Sequence, residues 1–103
     1  MVKKVKKTKL KLTKFDAADY LKTDEDMALY LEACLQEGGD DPAFITAALG
    51  DIARARSISD LAGKTGMTRA GLYKAFSKDG NPSFGAVLKV IHAMGFELHV
   101  SQR

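Results

Sequence analysis

The sequence predicts a single all-α domain of five or six helices that ends in one short strand. Apolar residues recur every three or four positions through most of the chain, residues that favour helix starts precede these stretches, and glycines follow them. A chain of 103 residues has room for one compact core but not for two. We expect residues 15–103 to form this domain and residues 1–14 to form a flexible, lysine-rich arm.

The charged residues are distributed unevenly along the chain. Residues 1–14 contain seven lysines and no acid, residues 15–56 contain ten acids against three bases, and residues 57–103 contain six bases against three acids. The net charge of +3 therefore hides an acidic middle segment between two basic ones. The basic segments favour a polyanionic partner, and the acidic segment favours a cationic protein.

Several classes of protein are disfavoured by the residues that the chain lacks. No apolar run approaches the ~18 residues of a membrane span, and no signal-peptide core follows the basic N-terminus, so we expect a cytoplasmic protein. Cys34 has no second cysteine to pair with and falls on an apolar helix stripe, which indicates a buried thiol. His92 and His99 show no metal-ligand spacing. We therefore expect no enzymatic activity, no metal and no cofactor.

Residues 15–39 are predicted to form an N-terminal helical extension. Thr23 and Asp26 match a capping box, in which each side chain accepts a hydrogen bond from the other residue's amide, and Gly38 ends the helix. The apolar stripe of this helix is Met27, Tyr30, Leu31, Cys34 and Leu35. A second helix begins at Pro42, because proline is tolerated in a first turn and an aspartate precedes it.

Residues 57–77 carry the pattern of a helix-turn-helix. Ser57 and Asp60 match a second capping box, Gly66 supplies the left-handed turn between two short helices, and Thr68 can cap the second of them. The side chains predicted to pack inside are Ile58, Leu61, Ala62, Met67, Leu72 and Ala75. A motif of this kind sets its second helix into the major groove of DNA.

The outward side chains of the second helix are candidates for reading DNA bases, because a recognition helix contacts base edges with its N-terminal residues. The base-reading candidates are Arg69, Ala70, Tyr73 and Lys74. The candidates for contacts with the DNA backbone are Ser57, Ser59, Lys64, Thr68, Lys78 and Asn81. Gly71 costs this helix about 1 kcal/mol relative to alanine, and close approach to DNA would explain it. The alternative is that these side chains form only a solvated face.

The C-terminal part is predicted to contain one more helix and a strand. Asn81 or Ser83 starts the helix and Gly95 ends it. Its apolar stripe is Phe84, Val87, Leu88, Ile91 and Met94. Residues 96–101 alternate apolar and polar side chains, as a half-buried strand does. This strand can pair with the N-terminal segment or with its own copy in a second chain; we favour the second chain, because it gives a two-fold dimer. Its apolar side chains are Phe96, Leu98 and Val100.

The chain also resembles a known family over about residues 13–100. The stretches "FDAADYLKTDEDMALYLEACLQEG" and "LGDIARARSISDLAGKTGMTRAGLYKAFSKDGNPSFGAVLKVIHAMGFEL" are similar to the addiction-module antidote proteins, the HigA-like antitoxins of bacterial type II toxin–antitoxin pairs. The resemblance implies a lambda-repressor-like helix-turn-helix, as in phage repressors, and a homodimer in the bacterial cytoplasm. It also implies repression of the protein's own operon and tight binding to a small basic RelE/HigB-like toxin that cleaves mRNA. The recognition helix would be residues 68–77, and residues 1–12 lie outside the match.

The acidic middle segment is the candidate surface for such a toxin. Its candidate carboxylates are Asp16, Asp19, Asp24, Glu25, Asp26, Glu32 and Glu37. Complementary charge would speed association with a cationic partner. The alternative is that these side chains only cap helices and keep the domain soluble. Two other functions stay open at this point: a stand-alone prophage-type repressor without a toxin, and an antitoxin that acts only by binding protein.

Overall fold

The computed structural model describes residues 20–102, and this part of the chain is helical, as predicted. Its five complete helices are α1 (Asp24–Gly38), α2 (Pro42–Ala55), α3 (Ile58–Thr65), α4 (Arg69–Ala75) and α5 (Phe84–Ala93). The predicted arm of residues 1–14 lies outside the described residues. No described helix is long and apolar enough to cross a membrane.

All five helices begin with a side chain that caps the first turn. The capping residues are Thr23, Asp41, Ser57, Thr68 and Ser83. At Thr23 the predicted capping box is complete: the Asp26 amide donates to Thr23 Oγ1 over 3.0 Å, and the Thr23 amide donates to Asp26 Oδ2 over 3.2 Å. These bonds satisfy amides that have no partner inside a helix, so short local signals fix where the helices start.

The second predicted capping box, at Ser57, is only half formed. The Asp60 amide donates to Ser57 Oγ over 3.1 Å, but the Asp60 carboxylate does not return to the Ser57 amide. It lies instead 3.2 Å from Lys64 Nζ, one turn further along α3. An acid four residues before a lysine forms such a pair on a helix surface, and here it takes the carboxylate away from the cap.

The core lies between the α1–α2 pair and the helices α3, α4 and α5. Its most deeply buried large side chains are Leu49, Ile52, Leu61, Leu72, Phe76, Val90 and Met94, each at most 2% exposed. Burial of one such side chain stabilises a fold by about 1.5–3 kcal/mol. Cys34 is a free, fully buried thiol, as predicted, and its burial raises the pKa of the thiol to about 12.

One buried carboxylate joins α1 to α2. Asp51 is only 6% exposed; it accepts hydrogen bonds from the Tyr30 hydroxyl over 2.9 Å and from Arg54 Nη2 over 2.8 Å. Burial, together with the nearby Asp51 charge, raises the pKa of Tyr30 above its ordinary value. Tyr30 falls on the predicted apolar stripe of α1, and no local pattern indicates this contact, because Tyr30 and Asp51 are 21 residues apart in the sequence.

Two side chains of the predicted apolar stripes are not buried. Phe84 is 69% exposed and Leu35 is 40% exposed. Phe84 is the first residue of α5, and Leu35 lies in the last turn of α1. Spacing alone predicts a continuous stripe, but the neighbouring helices leave these ends of the stripe uncovered.

The predicted C-terminal strand is absent from the described chain. The Phe96 amide donates to the Ile91 carbonyl over 3.1 Å, and residues 97–100 then make no backbone hydrogen bond to another described residue. Leu98 is 43% exposed and Val100 is 98% exposed. A strand requires a paired neighbour, and the described residues 20–102 offer none here. Pairing across a dimer therefore stays a prediction.

Candidate nucleic-acid interface

A tight glycine turn joins α3 to α4, as the sequence predicts. Gly66 has a φ of +77°, in the left-handed region where glycine carries no steric cost, and its amide donates to the Ala62 carbonyl over 3.0 Å. The Thr65 hydroxyl donates to the Leu61 carbonyl over 2.7 Å and accepts from the Met67 amide over 3.2 Å. The turn is thus held from both sides, which fixes the direction in which α4 leaves α3.

The recognition-helix candidate α4 is anchored by two buried side chains. Leu72 is 1% exposed, and Phe76, directly after the helix, is 2% exposed. Gly50 in α2 lies against the Phe76 carbonyl so closely that any side chain on Gly50 would overlap it. Ala75, which is predicted to face inward with Leu72, is half-buried and packs against the core. Phe76 follows Leu72 by four residues, and this helical spacing is the sequence feature that indicates its burial.

The four predicted base-reading side chains are all exposed on α4. They are Arg69, Ala70, Tyr73 and Lys74. Positions spaced by one, four and five residues fall on one side of a helix, here opposite the buried Leu72. The helix Arg69–Ala75 contains two bases and no acid, so this side is electropositive. The structure therefore brings these four side chains together on one outward surface, which we call the α4 face.

Gly71 donates the capping bond of α4. Its amide lies 2.9 Å from Thr68 Oγ1, and a Cβ on Gly71 would also lie 2.9 Å from that oxygen. Asp26, Asp60 and Ala86 donate the equivalent bonds in other helices and carry a Cβ, so a small shift of the cap side chain accommodates one. The cap therefore does not require glycine at position 71.

The six predicted phosphate-contact residues are also exposed. They are Ser57, Ser59, Lys64, Thr68, Lys78 and Asn81. Two of their hydroxyls, on Ser57 and Thr68, accept the capping bonds of α3 and α4. A hydroxyl that accepts one bond still has its own proton to donate, so both remain able to bind a phosphate oxygen. Lys64 reaches such an oxygen only by leaving its surface pair with Asp60.

The loop after α4 folds back onto the end of that helix. The Ser77 hydroxyl donates to the Lys74 carbonyl over 2.9 Å, and the Gly80 amide donates to the Ser77 carbonyl, also over 2.9 Å. A side chain on Gly80 would overlap the last carbonyls of α4. This fold-back keeps Lys78 and Asn81 close to the C-terminal end of the α4 face.

The predicted toxin-binding carboxylates divide into different roles. Asp16 and Asp19 lie outside the described residues. Asp24 Oδ1 lies 2.6 Å from Arg56 Nη1, and Asp26 completes the cap of α1, so both have partners within the chain. The carboxylates exposed on α1 without an ion pair to another described residue are Glu25, Glu32 and Glu37.

Comparison with known proteins identifies the family. Residues 11–102 match the family model described as "Probable addiction module antidote protein". An uncharacterized protein of Haemophilus influenzae strain Rd is 47% identical over 91 residues, which cover 88% of this chain and 92% of that relative. No solved structure matches significantly. The chain belongs to the family of addiction-module antidote proteins.

Proposed function

We propose that this antidote also represses transcription of its own operon, by binding operator DNA through α3 and α4. The observation that carries the proposal is the α4 face: four exposed side chains without an acid among them, on a helix held by Leu72 and Phe76. A rigidly anchored helix with a free electropositive side is what major-groove binding requires.

Each side chain of the α4 face has a chemical role in this proposal. Arg69 and Lys74 donate to O6 and N7 of guanine, and Ala70 contacts a thymine methyl group. Tyr73 reaches a base or a phosphate. The hydroxyls at the starts of α3 and α4, with Lys78, hold the DNA backbone and set the register without reading sequence.

The operator is palindromic in this proposal, because the chain binds it as a homodimer. Two copies of α4 then enter successive major grooves about 34 Å apart. The dimer forms through residues 96–101, whose apolar side chains Leu98 and Val100 are exposed in the single chain. Antiparallel pairing of this segment with its copy would supply the backbone partners that it lacks.

The antidote activity itself requires a toxin partner, and we propose a small basic RelE/HigB-like protein that cleaves mRNA. The acidic surface of α1 supports this choice, because Glu25, Glu32 and Glu37 are exposed and available to a cationic partner. Membership of the antidote family argues against a stand-alone repressor. The remaining rival is an antitoxin that acts only by protein binding and has no useful affinity for DNA.

A fluorescence-anisotropy titration tests the repressor role. The purified full chain is titrated into a labelled duplex from upstream of its gene and into a scrambled duplex of the same composition, at two salt concentrations. We expect selective binding to the upstream duplex that survives the higher salt. Equal binding to both duplexes that disappears at higher salt would mean that the DNA affinity comes only from general charge. That result would favour the antitoxin that acts only by protein binding.

A further inference from the structure

A groove runs between α1 and the segment that follows α5. Its volume is about 610 Å³. The described residues that line it include Leu31, Glu32 and Leu35 from α1, and Phe96, Glu97 and Leu98 from the C-terminal segment. Leu31 is 6% exposed and forms part of the floor, whereas Leu35 and Leu98 stand at the rim, 40% and 43% exposed. The groove therefore offers apolar surface that the described chain leaves uncovered.

The walls of this groove carry negative charge. Glu32 on α1 and Glu97 on the opposite wall are both exposed, and no lysine or arginine is among the described residues that line the groove. His99 also lines the groove, and its Nε2 lies 3.5 Å from Glu97 Oε1. The helix Asp24–Gly38 has no basic residue of its own. An occupant that matches this groove has an apolar side chain for the floor and cationic side chains for the rim.

We propose that this groove is the toxin-binding site of the antidote. An apolar side chain of the toxin enters between Leu35 and Leu98, and a neighbouring lysine or arginine of the toxin pairs with Glu32 or Glu97. This rests on the proposed function, namely that the partner is a small basic toxin. The groove places the toxin contact on the side of α1 that faces the C-terminal segment. In this site the apolar rim residues contribute to toxin binding as much as the carboxylates do.

Charge argues against a second copy of this chain as the occupant. A two-fold interface brings the same patch of both copies together. A second copy inside the groove would bring Glu32 and Glu97 close to their own copies, and like charges at close range oppose association. The proposed pairing of residues 96–101 across a dimer joins backbone edges, so it needs no side chain of the second copy inside the groove. A cationic protein meets no such repulsion. The other cationic candidate is the lysine-rich segment 1–14 of the chain itself, and the experiment below distinguishes it from the toxin.

The test compares two pairs of matched variants of the full chain. Leu35→Ser removes an apolar rim residue, and Leu29→Ser is its control, because Leu29 is 39% exposed on the same helix but does not line the groove. Glu32→Lys reverses a rim charge, and Asp79→Lys makes the same reversal at an exposed carboxylate in the loop after α4, outside the groove. Circular dichroism and the thermal midpoint establish that each variant is folded.

The probe is the purified product of the reading frame next to this gene, titrated calorimetrically against each variant. We expect Leu35→Ser and Glu32→Lys each to weaken binding about tenfold, as loss of an interface anchor does. Both controls stay within about twofold of the wild type. If Leu35→Ser does not fold, the Glu32→Lys and Asp79→Lys pair carries the test alone.

The remaining outcomes separate failure of this site from failure of the proposed function. A neighbouring protein that does not bind the wild-type chain refutes the toxin partner itself. Tight binding that none of the four variants changes places the toxin elsewhere and overturns the groove. Two further results would also overturn the groove as the toxin site. If Leu35→Ser or Glu32→Lys lowers self-association but leaves the toxin affinity unchanged, the groove binds a second copy. If these variants speed tryptic cleavage within residues 1–14, the groove binds that segment.

Discussion

Gly50 of α2 and the carbonyl oxygen of Phe76 lie so close together that no other residue fits at position 50. At this contact the middle of α2 packs against the end of the recognition-helix candidate α4. The orientation of the α4 face therefore depends on a glycine outside the segment formed by α3, its turn and α4. In the sequence this glycine has no turn or cap role, so only the packing explains it.

We expect Gly50→Ala to destabilise the fold by about 1–3 kcal/mol, because the new methyl group forces either α2 or the Phe76 backbone to move. Chemical denaturation of the purified protein measures this loss. Gly63→Ala is the matched control: Gly63 also lies inside a helix, but a side chain there meets nothing within 4 Å. That variant should gain about 0.5–1 kcal/mol from helix propensity. Equal effects of the two substitutions would mean that the close contact at Gly50 has no energetic weight.

Alkaline pH should destabilise the protein through two groups whose pKa is raised in the folded state, the Tyr30 phenol and the Cys34 thiol. The pKa of Tyr30 is raised from 10.0, and that of Cys34 from 9.0 to about 12, so the folded state keeps protons that the unfolded state loses. Stability is then fully present below pH 9 and falls as the pH rises above it. Tyr30→Phe should cost about 1 kcal/mol at neutral pH through the lost bond to Asp51, and should lose less stability than the wild type above pH 10.

Urea unfolding at several pH values between neutrality and pH 11 measures this dependence. Tyr73→Phe serves as the control, because the Tyr73 hydroxyl is exposed and bonds to no described residue. The control should follow the wild type at every pH. If the free energy of unfolding falls with pH equally for the wild type and for Tyr30→Phe above pH 10, Tyr30 is not a source of the alkaline loss of stability.

The parts of the fold that the sequence predicted are those set by neighbouring residues. The Thr23–Asp26 capping box and the left-handed Gly66 are each written within a few positions, and the structure has both. Burial of Phe84 was predicted from spacing alone and is wrong, since periodicity does not say where a covering helix stops. The bond between Tyr30 and Asp51 joins residues far apart in sequence, and no local pattern encodes it.

The candidate site shows the same division. The exposure of the α4 face followed from helix geometry once Leu72 was placed inside. The groove beside Leu35 and Leu98 could not be predicted, because it is formed by two segments about sixty residues apart whose approach depends on the whole core. The only sequence feature that marks such a surface is a leucine on an apolar stripe, such as Leu35, that no neighbouring helix covers.

Two single substitutions should separate base reading from phosphate binding. In the proposed complex Arg69 is a bidentate donor to guanine, so Arg69→Ala should reduce the free-energy difference between specific and non-specific binding by about 1–3 kcal/mol. Lys78 contacts a phosphate in the same proposal, so Lys78→Ala should weaken binding to every duplex alike and reduce the slope of log affinity against log salt by about one. Anisotropy titrations of both variants against upstream and scrambled duplexes at several salt concentrations measure these quantities. An unchanged ratio for Arg69→Ala would remove Arg69 from the base-reading set.

The proposed dimer strand gives the last prediction. Val100 is 98% exposed and follows the exposed Leu98, so this end of the chain has apolar side chains that nothing in the described part covers. If residues 96–101 pair with their copy, Val100→Asp places two carboxylates in an apolar contact and should weaken dimerisation by at least about 2 kcal/mol. Sedimentation equilibrium over a range of concentrations measures the dimer constant. Leu29→Asp is the control, since it adds the same charge to an exposed leucine of α1. A dimer constant that Val100→Asp leaves unchanged, or that both substitutions change equally, would place the dimer contact elsewhere.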